Sequence, residues 1–286
     1  MKTPKRIQPL IDDGLVDEVI RRLMSGKEAD VYVVRCGDEV RCAKVYKEAS
    51  KRGFKQAVTY QEGRKVRNSR RARAMEKGSK FGRKQQEETW QTAEVDALYR
   101  LDSAGVRVPQ PFDCLNGVLL MELVIDEQGE VAPRLSEITM SAQQAIEDHG
   151  IVMIYIVRML CAGIVHGDLS EFNVLVDAFG PVIIDLPQAV DAAGNNNAQA
   201  MLKRDVANIT RYYAQYAPSL LTNTYADEIW SLYEDGQLTP DTLLTGEFIA
   251  DNHDADVDGV MSEIKSILAE EEQRQAYLRE LNEQDA

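Results

Sequence analysis

The chain has 286 residues, of which 44% are hydrophobic and 28% charged, and its net charge is −14. That length supports one large domain or two lobes with an adequate core. The composition is that of a soluble globular protein, and the acidity excludes a general polyanion binder.

The four cysteines, Cys36, Cys42, Cys114 and Cys161, form no C-x-x-C pair, and three histidines do not complete a zinc pattern. They read as reduced thiols. Cys36 and Cys42 fall on expected neighbouring strands, where a disulfide stays an open alternative. Met1 to Leu10 is basic and has no apolar signal core, and the longest apolar run, Ile151 to Val157, is far too short to cross a bilayer. The expectation is a cytoplasmic protein with no membrane partner.

Residues 15–46 read as strands: Val16 to Leu23, Val31 to Val34, a turn at Gly37-Asp38, then Val40 to Tyr46. Between the first two lies Ser25-Gly26-Lys27-Glu28, a short polar loop whose backbone N–H groups could cradle phosphate or simply turn a hairpin. Ala43-Lys44-Val45 follows, where a strand lysine can grip α- and β-phosphates.

Residues 47–89 then carry fourteen Lys and Arg against five Glu. The basic patch reads either as a surface for RNA phosphate or an acidic partner, or as a solvated insertion over the protein's own acidic face. A helix is predicted over 86–102, with Trp90, Ala93, Ala97, Leu98 and Leu101 as its apolar stripe and Glu94 beside it. Glu94 is the candidate partner of Lys44.

Asn116-Gly117 is a type I′ hairpin signal. The strand after it, Val118 to Met121, empties into Glu122-Leu123-Val124-Ile125, a segment whose Glu122 and Leu123 backbone groups could hold adenine. A long helix is predicted over 140–162, capped at Thr139 or Ser141 and ended by Gly163, with Ile146, Met153, Ile154, Val157 and Leu160 buried. His149 and His253 read as structural or exposed.

The centre of the chain is His166-Gly167-Asp168-Leu169-Ser170-Glu171-Phe172-Asn173, followed by two short strands and Ile183-Ile184-Asp185. An Asp, an Asn five residues on, and a further Asp at a strand end suit phosphoryl transfer. Asp168 would orient the attacking hydroxyl or accept its proton. Asn173 and Asp185 would hold Mg²⁺, or Mn²⁺ in its place, on the phosphates. Residues 198–233 continue as helices, 234–260 are acidic and turn-rich, and 261–281 form a charged helix.

These segments together resemble the RIO family of atypical serine/threonine protein kinases. The likeness runs over about residues 15–215 and rests most on Leu169-Ser170-Glu171-Phe172-Asn173 and Ile184-Asp185-Leu186-Pro187-Gln188. The basic segment before Trp90 is similar to the type-one branch. The resemblance implies an α+β, two-lobed protein kinase-like fold: an antiparallel sheet with one main helix, then a mostly helical lobe. The corresponding domains are 1–121, with the insertion 47–89, then 122–233, and an acidic extension 234–286.

It further implies ATP and Mg²⁺ as cofactors. Lys44 and Glu94 would be the ion pair, with Asp168 catalytic and Asn173 and Asp185 binding metal. Ser25, Gly26, Lys27, Glu122 and Leu123 would contact nucleotide. Asp185 can also receive phosphate in this family, so autophosphorylation or ATP hydrolysis is expected on the protein itself or a restricted partner. The chain lacks G-x-G-x-x-G, Asp-Phe-Gly and Ala-Pro-Glu, and glycine rather than arginine precedes Asp168. Loop phosphorylation is therefore not expected to regulate it, and the peptide platform of ordinary kinases is missing. Two other readings stand beside this one. The first is a small-molecule phosphotransferase of the aminoglycoside or choline kinase type, which Ser170-Glu171-Phe172 argues against. The second is a non-catalytic ribonucleoprotein assembly switch that meets RNA or a ribosomal particle through 47–89.

Overall fold

Strand alternation decides which side chains meet in the first part of the chain. A computed structural model describes residues 3–26, 28–47 and 93–248. After a short helix α1 (Gln8–Asp12) come β1 (Glu18–Ser25), β2 (Ala29–Cys36) and β3 (Glu39–Tyr46). Helix α2 occupies 93–103, followed by β4 (Pro111–Leu115) and β5 (Val118–Glu122). The five strands form one antiparallel sheet in the order β1-β2-β3-β5-β4.

Successive residues of a strand point to opposite faces. Ala43 and Val45 on β3, with Val118 and Leu120 on β5, therefore pack with Ile7 and Leu10 of α1. Tyr46 and Leu119 face the other way and pack with Ala97, Leu98 and Leu101 of α2. Lys44, opposite Leu119 in the ladder, shares that second face. The period of two thus delivers a buried lysine to the helix that carries Glu94.

Tight turns set the register. Asn116 and Gly117 both have positive φ, 53° and 74°, as a type I′ hairpin requires, and Gly37 turns β2 into β3 at φ 61°. Cys36 and Cys42 do lie on neighbouring strands, and all four cysteines are free thiols. Burial pushes the Cys42 thiol up to about 12, which leaves it protonated and inert.

The second lobe is built on α3 (Ala142–Cys161), which Ser141 caps by accepting the Gln144 N–H at 3.1 Å. Behind it come β6 (Ile164–Val165), the hairpin β7 (Val174–Asp177) and β8 (Gly180–Ile183), β9 (Val190–Asp191), α4 (Ala198–Tyr213) and α5 (Tyr225–Glu234). Met153, Val157 and Leu160 are buried as expected, but Ile146 and Ile154 are exposed. The buried stripe runs through Ala145, His149, Val152, Ile156 and Leu160, which puts those two isoleucines on its flank. Residues 198–233 are helical apart from a 3₁₀ turn and short links. The described residues belong to one compact unit that ends at Phe248. The expected helix over 261–281, His253, Trp90 and the basic segment 48–89 fall outside the described residues. No helix among the described residues is long and apolar enough to cross a membrane.

His149 is fully buried between α3 and α4, with its Nε2 at 2.9 Å from the Thr210 hydroxyl and its ring against Tyr213 and Tyr225. Burial lowers its pKa to about 4. A histidine held neutral in the fold but free to protonate when unfolded stabilises above its unfolded pKa and loses that stability as pH falls. Between about pH 6.5 and 4, native protein should lose up to about 3 kcal/mol more than a His149→Gln variant in urea unfolding. Parallel curves for the two proteins would show that His149 is not the titrating group.

Candidate active site

The Lys44 ammonium is the meeting point of three elements. It lies 2.5 Å from Glu94 Oε1 on α2 and 3.0 Å from Asp185 Oδ1, just past β8. Glu94 is fully engaged, because its Oε2 accepts from the Tyr46 hydroxyl at 2.6 Å. Side-chain exposure is 11% for Lys44 and 3% for Glu94 but 49% for Asp185, so the charge chain starts in the core and ends in the cleft. Burial works against the charge on Lys44, yet Glu94 and Asp185 outweigh it and hold its pKa above the usual lysine range. The same contact reverses the effect of burial on Asp185 and leaves its carboxyl below the ordinary range. Lys44 and Asp185 are therefore charged together at neutral pH.

Asp185 has φ 66°. Among non-glycine residues Asp and Asn tolerate this region best, so the turn after β8 selects a short polar side chain there as well as a charge.

The lower wall of the cleft is the loop from His166 to Asn173. Its conformation is imposed from α4. The buried Asp205 carboxylate accepts the Gly167 N–H at 2.7 Å and the Leu169 N–H at 3.0 Å, bracketing Asp168. Arg204 donates to the Gly167 carbonyl, and Asn208 to the Leu169 carbonyl. Gly167 needs its glycine, because its φ is 79°. His166 Nε2 donates to the Ile184 carbonyl at 3.1 Å, and its Nδ1 accepts the Asp168 N–H at 3.3 Å. One imidazole in a single tautomer therefore ties the Asp168 loop to the residue before Asp185. Burial raises the Asp168 carboxyl above its ordinary range, against the opposing charge of Arg204.

Asn173 is oriented by the same loop. Its side-chain amide nitrogen donates to the Asp168 carbonyl at 2.8 Å, and its backbone carbonyl accepts the Ile184 N–H at 3.0 Å. Because only the NH₂ end can donate, its side-chain oxygen is left to act as a ligand. That oxygen and the Asp185 carboxylate are hard oxygen donors of the kind Mg²⁺ takes when phosphates and water complete its shell. The residues present fit a divalent cation held jointly with a polyphosphate.

The nucleotide-facing candidates divide. Ser25 donates to Asp30 at 2.5 Å, and the Gly26 N–H is spent on its own turn to Ala29 at 2.9 Å. Lys47 draws the same loop in through the Gly26 carbonyl at 2.6 Å and Asp30 at 3.3 Å. Lys27 lies outside the described residues. The Glu122 N–H donates to the Gln110 carbonyl at 2.8 Å, so that N–H is not available to an adenine. The Glu122 carboxylate serves Arg107, which grips it with two hydrogen bonds of 2.6 and 2.7 Å. Arg107 also reaches Asp177 at 2.9 Å, which pins the β7–β8 hairpin to the end of β5.

The structure thus joins Lys44 with Glu94 and Asp185, and Asp168 with Asn173. The sequence reading missed Asp205, Arg107 and the role of His166. Asp205 in particular has no local signature, since its partners lie 36 and 38 residues away.

Comparison with known proteins comes to the same place. The family model for the RIO domain matches residues 30–226. A RIO-type serine/threonine-protein kinase Rio1 from Haloferax volcanii is 35% identical over 210 residues, covering 72% of this chain and 67% of that protein. A Rio2 kinase from Methanocaldococcus jannaschii is 30% identical over 213 residues, 73% of each chain. Human serine/threonine-protein kinase RIO1 is 29% identical over 236 residues, 82% of this chain but only 39% of its own length.

Replacing Asp205 by Asn leaves one of the two N–H groups without its acceptor, a loss of about 1.5–3 kcal/mol. Asp205→Asn should lower the melting temperature modestly and cut the phosphoryl-transfer rate by about tenfold or more, since a small misplacement of a reacting group is costly. ATP affinity should stay within about twofold, because neither loop amide faces the nucleotide. An unchanged transfer rate would show that the loop holds its shape without Asp205.

Proposed function

This chain belongs to the RIO family of atypical serine/threonine protein kinases, and we propose from that premise that its cleft transfers the γ-phosphoryl group of ATP. The acceptors are a hydroxyl of a restricted protein partner, a residue of the chain itself, or water. The observation that carries the reading is Lys44 joined to both Glu94 and Asp185, the pairing that phosphoryl transfer needs in place before nucleotide can be aligned.

The acceptor oxygen attacks the γ-phosphorus in line while the bond to the β–γ bridging oxygen breaks, and ADP leaves with that electron pair. Asp168 orients the acceptor hydroxyl and takes its proton, and its raised pKa favours that transfer. Lys44 places the α- and β-phosphates, with Glu94 holding the ammonium in line. Asn173 and Asp185 hold the divalent cation, Mg²⁺ with Mn²⁺ as a substitute, and that ion offsets charge on the phosphates. The Glu122 carbonyl and the Leu123 backbone receive the adenine edge, and Ser25, Gly26 and Lys27 close over the phosphates.

Only residues 186–197 separate Asp185 from α4, and they hold the two-residue β9. So short a connection offers little platform for an extended peptide, which supports a narrow substrate range. RNA or a ribosomal particle meeting the basic residues 47–89 is a further proposed partner, resting on their charge alone. The functional unit is proposed as two lobes over 1–121 and 122–233, followed by the acidic extension 234–286.

Incubation with γ-labelled ATP and Mg²⁺ tests this directly, comparing the native chain with Asp168→Asn and Asp185→Asn. Asparagine keeps the size of both residues and tolerates the positive φ at 185, so loss of activity reads the carboxylate and not the backbone. Label should reach protein or phosphate in the native chain and fall by about a hundredfold or more in both variants. Equal labelling in all three would overturn the assignment. Transfer to a small alcohol or aminoglycoside, with none to protein, would favour the small-molecule kinases.

A further inference from the structure

Among the arginines of the cleft, Arg134 stands apart. Its main chain is fixed to the lobe that carries Asp168 and Asn173. Arg134 bridges to Leu175 of β7, the neighbouring Pro133 carbonyl accepts the Val176 N–H at 3.0 Å, and the Ser136 N–H donates to the Glu171 carbonyl at 3.2 Å. The Arg134 N–H itself donates to Glu137 Oε2 at 3.0 Å. From this rigid base the side chain crosses to the opposite lobe and meets Met24 Sδ of β1 at 3.1 Å. Met24 is the residue directly before Ser25 and Gly26 of the phosphate loop.

A guanidinium offers five donors in a planar fork, and a thioether sulfur is a weak acceptor for one of them. Among the described residues, Arg107 is matched by two carboxylates and Arg158 by backbone carbonyls. Arg134 has only the sulfur as its described side-chain partner. A half-buried fork beside Ser25 and Gly26, with no carboxylate on it among the described residues, is suited to an anion that arrives from outside the chain. The geometry points to Arg134 as a substrate-contacting residue: it leaves Met24 when nucleotide binds and places its fork on the oxygens of the γ-phosphate.

This rests on the cleft binding ATP as proposed above, and it adds a selectivity that the other cleft residues do not supply. Lys44 is directed to the α- and β-phosphates, which ADP also carries, so it cannot tell the two nucleotides apart. A residue that meets only the third phosphate lets the cleft grip ATP and release ADP. It would also follow the γ-phosphoryl group as its charge redistributes during transfer.

The test is equilibrium binding of a non-hydrolysable ATP analogue and of ADP, each with Mg²⁺, to the full chain in native, Arg134→Gln and Arg134→Lys forms. Arg134→Gln should weaken the analogue by about tenfold or more and ADP by less than about twofold, because one charge-assisted contact to the third phosphate is lost. Arg134→Lys should lie between, keeping the charge without the fork. Equal losses for both nucleotides, or none for the analogue, would overturn the assignment. If the native chain binds the analogue but transfers no label, the kinase reading fails while the ratio of the two affinities still decides Arg134. If it binds neither nucleotide, both fall.

Discussion

The whole site depends on one buried positive charge. Lys44 sits on the inner face of a five-stranded sheet, where a lone ammonium would be costly. It is tolerated because Glu94 meets it from α2 and Asp185 from the far side of the cleft. Removing the buried Glu94 would leave the ammonium with only the half-exposed Asp185, at a cost of up to about 3–5 kcal/mol. The sheet, the helix and the end of β8 are therefore locked to one another by electrostatics as well as by packing, and the lock passes through the residue proposed to hold phosphate.

Around that lock, the second lobe is arranged to hold acidic and amide groups in fixed relation. Asp205 shapes the loop that presents Asp168, and His166 ties the loop to Ile184. The Asn173 backbone is joined to the residue before Asp185. Arg107 fastens the tip of the β7–β8 hairpin to the strand end proposed for adenine. Each connection is a hydrogen bond or ion pair between segments far apart in sequence, so the relative placement of the cleft residues is fixed by the fold. The connection over residues 186–197 is in contrast short, which agrees with a narrow choice of acceptor.

Much of this was legible in the residues. Glu94, beside the apolar stripe of its helix, was read as the partner of the strand lysine Lys44, and Asn116-Gly117 announced its hairpin. The spacing of Asp168, Asn173 and Asp185 singled out the loop and the strand end that the fold brings to one cleft with Lys44. What stayed hidden has a common physical cause. Asp205 and Arg107 act through partners tens of residues away, and a mid-helix aspartate or a loop arginine carries no mark of its partner. Ile146 and Ile154 misled because an apolar residue on the flank of a stripe looks like one at its centre until the packing of α4 and α5 defines which face is covered. The Gly26 and Glu122 amides looked available for a ligand, and their use in a turn and an edge contact is a matter of backbone geometry that composition does not report.

The measurement that bears most directly on the account is a crystal structure with a non-hydrolysable ATP analogue and Mn²⁺, read by anomalous scattering from the metal. The account predicts a manganese peak bonded at about 2.2 Å to both the Asn173 side-chain oxygen and the Asp185 carboxylate, with the Lys44 ammonium on the α- and β-phosphates. A metal bound away from that pair, or a nucleotide whose phosphates do not meet Lys44, would contradict it.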